Sequence, residues 1–379
     1  MKNVGIICEY NPFHNGHARQ LRAVREQGGV CVCLMSGNYV QRGEPAIFDK
    51  WTRAKAAALC GADLVLELPV TYALRSAEGF AAGGVEILDR MGCIDGLCFG
   101  SETDDINIIM STAKALDTPA FSQKLKKDLK SGVSFPTARQ LALEAMGEDG
   151  SVLETPNAIL AVEYCKALLR RNSAIQPLLI HREGDYHGGT DPDAPSASFL
   201  RTQTDWHGYV PEDALACFAG VPRHSVAAGQ RAWLARLRSM EEAEFERLPF
   251  GSEGLWRKVL SACRTEPTLE AIVQAAKSKR YTRTRLMRLL LCACLGITEE
   301  TLMQPAPYVR VLAVNGRGQR VLRQVKQDGE LPLLHTGQRA PDCAYAALER
   351  RAADLFPLFC EAEELYVNLE RKARIFRIP

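Results

Sequence analysis

The sequence lacks an apolar run long enough to cross a membrane. Its first apolar stretch, Val4 to Cys8, is also too short for the hydrophobic part of a signal peptide, so we expect a cytoplasmic protein with no membrane partner. The formal net charge is only +2, which gives the whole chain no general attraction to anionic polymers. Any RNA-binding surface must therefore come from a local cluster of cations.

The thirteen cysteines are scattered along the chain and form no C-x-x-C pair. In the closest spacings, Cys31 with Cys33 and Cys292 with Cys294, a single residue separates the partners, which suits neither a zinc ribbon nor a redox dithiol. Reduced thiols that pack as small hydrophobic residues are the expected state in the cytosol. We predict neither a structural metal site nor a disulfide framework.

The composition is that of an ordinary globular protein, with 46% hydrophobic and 24% charged residues. A chain of 379 residues is expected to contain two or three domains, at about 150 residues per domain. Because the sequence pattern changes after residue 205, we predict one domain at residues 1–205 and a mostly α-helical domain at residues 206–379.

The first half alternates short apolar runs with longer helical stretches, the pattern of a parallel sheet covered by helices. The runs that predict strands are Val4–Cys8, Val30–Met35, Asp63–Leu68, Gly96–Phe99 and Ile175–Ile180. Helices that end before a glycine are predicted at His17–Gln27, Asp49–Cys60 and Ala77–Met91. A polar stretch from Glu183 to Pro195 predicts a loop, and the second half contains one further strand candidate, Val309–Val314. The fold class is therefore α/β: a Rossmann-like, doubly wound parallel sheet with a mostly helical C-terminal domain.

The first predicted strand runs directly into the string Glu9-Tyr-Asn-Pro-Phe-His-Asn-Gly-His17. Gly16 lets the backbone approach a phosphate, and the helix that begins near His17 offers unpaired N–H groups. Two imidazoles three residues apart, His14 and His17, can then meet the same phosphate. Because open α/β sheets bind ligands at the carboxyl ends of their strands, we predict a nucleotide site here rather than two ordinary surface histidines.

This string and a second one, Ser36-Gly-Asn-Tyr-Val-Gln-Arg-Gly-Glu-Pro45, resemble the signatures of the tRNA(Met) cytidine acetate ligase family, part of the H-x-G-H nucleotidyltransferase superfamily. The resemblance implies ATP-dependent activation of acetate to acetyl-adenylate and transfer of the acetyl group to the wobble cytidine of elongator tRNA(Met). It implies that His14 and His17 are catalytic and stabilise charge on the α-phosphate, with Mg²⁺ arriving on ATP. The domain at residues 1–205 would then be the ATP-binding domain, and the mostly α-helical domain at residues 206–379 would bind tRNA.

The same resemblance implies that ATP contacts several strand ends. Gly100 follows the fourth strand, Asn157 lies in the first turn of a helix, and Arg182 follows the fifth strand. The stretch Ser196-Ala-Ser-Phe-Leu-Arg201 resembles the later phosphate motif of the superfamily, although it lacks that motif's leading isoleucine and its threonine. The complete ATP-binding set implied in this way is Ile7, Cys8, Glu9, Tyr10, Asn11, Pro12, Phe13, Asn15, Gly16, Gly100, Asn157, Arg182, Ser196, Ser198 and Arg201.

Residues 37–43, which follow the second strand, form a polar segment that we call the substrate loop. Gly37 and Gly43 permit unusual backbone geometry, while Asn38, Gln41 and Arg42 supply donors suited to an anionic substrate or leaving group. The alternative is a solvated loop with no ligand. Its position at the same edge of the sheet as the two histidines favours ligand binding.

The only dense cluster of cations is Lys277–Arg288, the basic segment, with six positive side chains in twelve residues. Such side chains neutralise phosphates, and an interleaved tyrosine can stack on an unpaired base. The predicted tRNA-binding residues are Lys277, Lys279, Arg280, Tyr281, Arg283 and Arg285. Two alternatives remain open: an adenylyltransferase that acts on a small molecule without RNA, and an RNA-binding protein whose nucleotide site is vestigial.

Overall fold

The computed structural model describes residues 2–182, 191–335, 338, 340–362 and 365–378. Residues 183–190 of the predicted loop lie outside these ranges, and residues 191–195 contain neither helix nor strand. Among the described residues, no helix combines the length and the apolar character that crossing a membrane requires.

One large sheet forms the centre of the protein. The strands, numbered along the chain, are β1 (Asn3–Cys8), β2 (Val30–Ser36), β3 (Tyr39–Val40), β4 (Glu44–Pro45), β5 (Leu64–Leu68), β6 (Gly96–Ser101), β7 (Gln176–His181), β8 (Val309–Val314), β9 (Leu333–Leu334) and β10 (Phe376–Arg377). β3 and β4 pair with each other in a separate two-stranded sheet, and the other eight strands form the central one. The predicted strands correspond to β1, β2, β5, β6, β7 and β8. Because β2 and β5 are buried along their whole length, their sequences are nearly continuous apolar runs.

Helices cover the sheet and build most of the second half of the chain. They are α1 (Asn15–Glu26), α2 (Lys50–Leu59), α3 (Val70–Ala73), α4 (Ala77–Arg90), α5 (Ile106–Leu116), α6 (Pro119–Lys130), α7 (Phe135–Glu144), α8 (Pro156–Arg171), α9 (Ala197–Thr202), α10 (Glu212–Phe218), α11 (Val226–Ser239), α12 (Glu242–Glu246), α13 (Leu255–Thr265), α14 (Leu269–Ala276), α15 (Arg283–Leu295), α16 (Glu299–Met303), α17 (Gly316–Asp328), α18 (Ala344–Leu355) and α19 (Leu369–Lys372). The three predicted glycine stops follow α1, α2 and α4, and each has a positive φ: 77° at Gly28, 115° at Gly61 and 70° at Gly92. The ends of these helices could therefore be predicted from glycine alone.

The strand order is β10-β8-β5-β2-β1-β6-β7, and all neighbours from β5 to β7 are parallel. The chain builds outward from β1 through β2 to β5 and then returns to the other side of β1 for β6 and β7. The crevice between β1 and β6 is therefore the switch point, where open α/β sheets bind ligands. The predicted doubly wound α/β fold is confirmed.

The second half of the chain is mostly helical and also extends the sheet. β8 pairs antiparallel with β5, and β10 pairs parallel with β8. Conversely, Tyr39 from β3 packs into the apolar core of the helical half, where its ring lies against Phe356 and Phe359. The domain boundary at residue 205 stays a prediction, and the rings of Phe48 and Phe218 stack across it with centroids 4.7 Å apart.

Candidate active site

A cleft opens at the carboxyl ends of β1, β6 and β7, at the switch point of the sheet. It consists of two adjoining cavities that share the side chains of Glu9, Asn11, His17, Arg42, Asn157, Arg182, Ala197 and Arg201. The wider cavity adds large apolar side chains: Phe80, Phe99, Leu160 and Ile180. The narrower cavity adds His14, Ser196 and Ser198. An apolar part joined to a part rich in hydrogen-bond donors suits a base linked to phosphates.

The two histidines of the motif lie at the start of α1 with their rings stacked. Their ring centroids are 3.6 Å apart and the ring planes are inclined by 26°. Nδ1 of His17 accepts a hydrogen bond of 3.3 Å from the backbone N–H of His14. A neutral His17 therefore carries its proton on Nε2, which makes this nitrogen a donor. Both histidines line the narrower cavity.

Both imidazoles are uncharged at neutral pH. Burial, reinforced by the charge of Arg182, lowers the pKa of His14 to about 3. Burial, together with the neighbouring His14 and Arg182, also lowers the pKa of His17 well below its usual value. Neutral imidazoles bind phosphate as hydrogen-bond donors rather than as cations, and a bound anion would raise both pKa values again.

The low pKa of His14 predicts a loss of stability in acid. The unfolded chain binds a proton at this imidazole below about pH 6.5, whereas the folded protein leaves it neutral down to about pH 3. Because the unfolded state binds more protons between these values, stability falls as the pH falls. Between pH 7 and pH 5 the wild type should lose about 2 kcal/mol of unfolding free energy relative to His14→Asn, measured by chemical denaturation.

The matched control for this measurement is His207→Asn, which removes a histidine whose side chain is 83% exposed. Its unfolding free energy should follow the wild type from pH 7 to pH 5 within a few tenths of a kcal/mol, roughly the size of ordinary surface effects. Identical pH dependence in His14→Asn and the wild type would show that His14 titrates normally in the folded protein.

Three of the predicted ATP-binding residues lie along one wall of the cleft. The side chain of Arg182 lies against Gly100, and its backbone N–H donates to the carbonyl of residue 101 at 2.8 Å. Asn157, in the first turn of α8, donates to the Glu102 carboxylate at 2.6 Å, and the Thr155 hydroxyl donates to the other oxygen of this carboxylate at 2.8 Å. Glu102 therefore fixes the Asn157 amide and holds the start of α8 against the end of β6.

The predicted phosphate motif lies at α9 and contacts the end of β1. The Ser196 hydroxyl accepts a hydrogen bond of 3.1 Å from the backbone N–H of Phe199. Arg201 donates to the Asn11 carbonyl at 2.9 Å and to the Ser198 hydroxyl at 3.3 Å. Although this stretch lacks the isoleucine and the threonine of the family motif, its two serines and its arginine line the narrower cavity.

Four predicted site residues do not line the cleft: Pro12, Phe13, Asn15 and Asn38. Phe13 is fully buried in the core. The Asn15 amide donates to the carbonyls of residues 192 and 208, at 2.9 and 2.8 Å. The Asn38 side-chain oxygen accepts the first N–H of α2 at 2.9 Å. The contacts of Asn15 and Asn38 hold the backbone around the site. Because all four residues belong to the two motif strings, residue type alone could not separate them from the residues that line the cleft.

Glu9 and the substrate loop meet in the cleft. The backbone N–H of Gln41 donates to Oε1 of Glu9 at 2.7 Å, and the side chains of Gln41 and Arg42 line the wider cavity. Burial raises the pKa of Glu9, while the Gln41 N–H and the charges of Arg201, Arg42 and Arg53 act in the opposite direction. The net effect is a raised pKa, so this carboxylate binds a proton more readily than an exposed one.

The sequence did not predict the role of Arg53, which is fully buried in α2. Its guanidinium donates to the carbonyls of Phe48 at 3.0 Å and Glu9 at 2.5 Å. It also donates to the carbonyls of Ser36, at 3.1 Å, and Gly37. Burial lowers the pKa of this guanidinium to about 10, so it remains charged at neutral pH. The only signal in the sequence was an arginine within an alanine-rich helix.

The substrate loop rests on the helical half. Gly43 has a φ of 81°, and a Cβ added there would lie 2.4 Å from the backbone nitrogen of Arg288 in α15. Arg288 is buried and donates to the Gln41 carbonyl at 3.4 Å. The hydroxyl of Tyr39, two residues before Gln41, donates to a carbonyl of α18 at 2.9 Å. Contacts between segments that are distant in the sequence therefore position this loop.

The basic segment lies directly before α15 and in its first turns. Its exposed members with long side chains include Lys277, Lys279 and Arg280. Arg283 forms an ion pair of 2.6 Å with Glu270, and Arg285 donates to the carbonyl of residue 250 at 3.0 Å. Tyr281 is half-buried and donates from its hydroxyl to the carbonyl of residue 253 at 3.1 Å. The helix rises about 7.5 Å from Arg283 to Arg288, at 1.5 Å per residue. Because Arg288 contacts Gln41, the basic segment lies close to the substrate loop.

The chain matches the model of the HIGH Nucleotidyl Transferase family over residues 1–374. It is 36% identical over 365 residues to an Acetivibrio thermocellus protein named tRNA(Met) cytidine acetate ligase, with 88% of each chain covered. A Caldicellulosiruptor saccharolyticus protein of the same name is 36% identical over an alignment of 401 positions. This alignment covers 100% of this chain and 99% of the relative.

Two solved structures of Thermotoga maritima TmcAL are also similar to this chain over the full length of both proteins. The form bound with alpha-thio ATP has a TM-score of 0.88 at 28% identity. The apo form has a TM-score of 0.90 at 29% identity. The likeness therefore extends over the sheet and the helical half together.

Proposed function

Because the chain belongs to the HIGH nucleotidyl transferase family and, within it, to the tRNA(Met) cytidine acetate ligases, we propose that it acetylates the wobble cytidine of elongator tRNA(Met). An acetate oxygen attacks the α-phosphate of ATP, which gives acetyl-adenylate and pyrophosphate. The exocyclic amine of the cytidine then takes the acetyl group, and AMP leaves. The protein is thus an ATP-dependent ligase, and a tRNA substrate agrees with the expected location in the cytoplasm.

The observation that carries this proposal is the stacked pair of neutral imidazoles at the switch point. In the first step, negative charge develops on the oxygens of the α-phosphate as acetate adds and pyrophosphate departs. Nε2–H of His17, the His14 ring and the backbone N–H of Gly16 in the first turn of α1 are fixed donors for this charge before the reaction begins. The neighbouring N–H groups of Asn15 and His17 already donate to the carbonyls of residues 209 and 14. Positioning and electrostatic stabilisation suffice for such an in-line displacement, so no covalent enzyme intermediate is required.

The shape of the cleft supports one orientation of ATP. The base and ribose occupy the wider cavity beside Phe99 and Gly100. The triphosphate then reaches the narrower cavity, which is lined by Arg182, Arg201 and Ser198. The Thermotoga maritima TmcAL structure bound with alpha-thio ATP agrees with a nucleotide site in this fold.

Mg²⁺ fits the reaction as an ion that is bound to the ATP phosphates. In the described ranges, no group of three or more His, Cys, Asp or Glu side chains could hold a metal ion. A magnesium ion that is bound chiefly by phosphates and water needs few protein ligands. When bound, it would neutralise phosphate charge and favour the departure of pyrophosphate.

Labelled acetate, ATP and unmodified tRNA(Met) test the proposed function directly. We expect label to enter the RNA as acetylcytidine, with one pyrophosphate and one AMP formed for each acetyl group transferred. Pyrophosphate formation without any label in RNA would favour an adenylyltransferase that acts on a small molecule. Binding of RNA without pyrophosphate formation would instead favour an RNA-binding protein with a vestigial nucleotide site.

The exposed cations of the basic segment give a second test, specific to RNA. In the triple variant Lys277→Glu, Lys279→Glu, Arg280→Glu, loss and reversal of phosphate contacts should raise the KM for tRNA at least about 10-fold. Acetate-dependent exchange of pyrophosphate into ATP should change less than about 2-fold, because these side chains lie outside the cleft. The three exposed residues are preferred over Arg283 and Arg285, whose guanidinium groups donate to Glu270 and to the carbonyl of residue 250. Arg280 also pairs with Glu253, at 3.5 Å, but its side chain is 70% exposed, so the loss of this pair should cost little stability.

The matched control reverses three exposed lysines on α6: Lys126→Glu, Lys127→Glu and Lys130→Glu. It makes the same change in net charge at a surface far from the basic segment in sequence. If both triple variants raise the KM for tRNA equally, the effect reflects overall charge and the basic segment is not the tRNA-binding surface.

A further inference from the structure

The carboxylate of Glu9 lies in a cleft that is lined mainly by hydrogen-bond donors, with Glu44 the other acidic residue of the narrower cavity. Among the described residues that line the wider cavity, Glu9 is the only acidic one. It also lines the narrower cavity with the two histidines, so it lies where the two cavities meet. ATP and acetate are both anionic, and a carboxylate directed at either of them would weaken its binding. Arg201, Arg42 and Arg53 offset the charge of Glu9, and the Gln41 N–H occupies Oε1. Glu9 is therefore suited to accept a hydrogen bond from a neutral donor that enters beside ATP.

We propose that Glu9 receives the exocyclic amine of the target cytidine and acts as the general base of acetyl transfer. The inference rests on the proposed function. A cytosine presents two N–H donors at N4 and no acidic group, and carboxylates are the side chains that accept from this amine in nucleic-acid recognition. No other base presents the same donor and acceptor pattern at its Watson–Crick edge, so Glu9 also contributes to the choice of cytidine.

The contacts of Glu9 fit this role. Oε1 of the carboxylate accepts a hydrogen bond of 2.7 Å from the backbone N–H of Gln41, which orients the side chain at the junction of the two cavities. Burial raises the pKa of Glu9. This effect exceeds the lowering of the pKa by the hydrogen bond and by the charges of Arg201, Arg42 and Arg53. A raised pKa makes the carboxylate a stronger proton acceptor.

Acetyl transfer then releases one proton, which the carboxylate takes up. The N4 lone pair of cytidine attacks the carbonyl carbon of acetyl-adenylate, which forms the new C–N bond. The bond from this carbon to the phosphate oxygen breaks, and AMP leaves with the electron pair. The surplus proton on N4 passes to the Glu9 carboxylate, which becomes a neutral carboxylic acid and later releases the proton to water.

Glu9→Gln separates this role from a structural one. Glutamine keeps an oxygen that can accept the Gln41 N–H, so the substrate loop stays in place, but its amide nitrogen presents donors to the incoming amine. We expect transfer to RNA from bound acetyl-adenylate to fall about 10²- to 10⁴-fold, the usual contribution of a general base. This loss should exceed any loss of acetate-dependent pyrophosphate exchange at least about 10-fold, since Glu9 also lines the cavities proposed for ATP. In a single-turnover experiment, the variant should hold labelled acetyl-adenylate that the wild type passes to tRNA.

The control is Glu26→Gln, an exposed carboxylate at the end of α1, which should leave both steps unchanged. Transfer by Glu9→Gln at the wild-type rate would overturn the inference, and so would an equal loss of both steps, which would assign Glu9 to the ATP reaction. If the wild type itself moves no acetate into RNA, the proposed function has failed and this inference fails with it. If the wild type and Glu9→Gln both transfer acetate to RNA at the same rate, the proposed function stands and only the inference about Glu9 has failed.

Discussion

Replacement of His17 by asparagine is expected to lower acetate-dependent pyrophosphate exchange by about 10²- to 10³-fold, the usual effect of removing one fixed donor to a developing charge. Asparagine keeps an oxygen close to the position of Nδ1, so it can still accept the backbone N–H of His14 and preserve the start of α1. It removes Nε2, the nitrogen that donates to the α-phosphate in the proposed reaction. The loss should therefore appear in the rate at saturating ATP and acetate rather than in stability.

The control is again His207→Asn, because this histidine lies on the surface outside the cleft. Its exchange rate should equal that of the wild type. A double variant, His14→Asn with His17→Asn, removes both rings from the narrower cavity. If this double variant still exchanged pyrophosphate at the wild-type rate, the two imidazoles would not act on the α-phosphate and the proposed reaction would have to be abandoned.

The parts of the fold that the sequence predicted are those that depend on local pattern. β1, β2, β5, β6 and β7 are short apolar runs between helices, and their predicted bounds agree with the observed ones to within one or two residues. The position of the cleft followed from one further rule, since the H-x-G-H string comes after the first strand of a parallel sheet. Local pattern and this rule together were enough to place His14 and His17 correctly in the fold.

Contacts between distant segments could not be predicted in this way. The sequence indicated that β8 is a strand, but pairing of β8 with β5 brings together residues about 250 positions apart, and no local pattern encodes that pairing. The same holds for the contact of Gly43 with α15 and for the hydrogen bonds of Arg53. In the motif strings, residue type alone did not separate Glu9, which lines the cleft, from Asn15, which holds a neighbouring loop.

Arg53→Met is expected to lower the unfolding free energy by about 4 kcal/mol, which is at the large end for a single substitution. Methionine fills much of the volume but leaves four carbonyl oxygens without their donor, at a cost of about 1 to 3 kcal/mol for each one that water cannot reach. Two of these carbonyls belong to Glu9 and Gly37, so the cleft should also lose its shape. Chemical denaturation measures the first effect, and pyrophosphate exchange by the folded fraction measures the second.

Lys55→Met on the same helix provides the comparison, because it removes a long cationic side chain that is exposed and lies over the Phe376 ring at 5.5 Å. Loss of such an exposed contact should cost less than about 1 kcal/mol. Arg53→Lys keeps the positive charge but offers fewer donors in a different geometry, so its stability should fall between those of Arg53→Met and the wild type. If Arg53→Met were as stable as Lys55→Met, the four carbonyls would not depend on the guanidinium. The ends of β1 and β2 would then be held by the sheet alone.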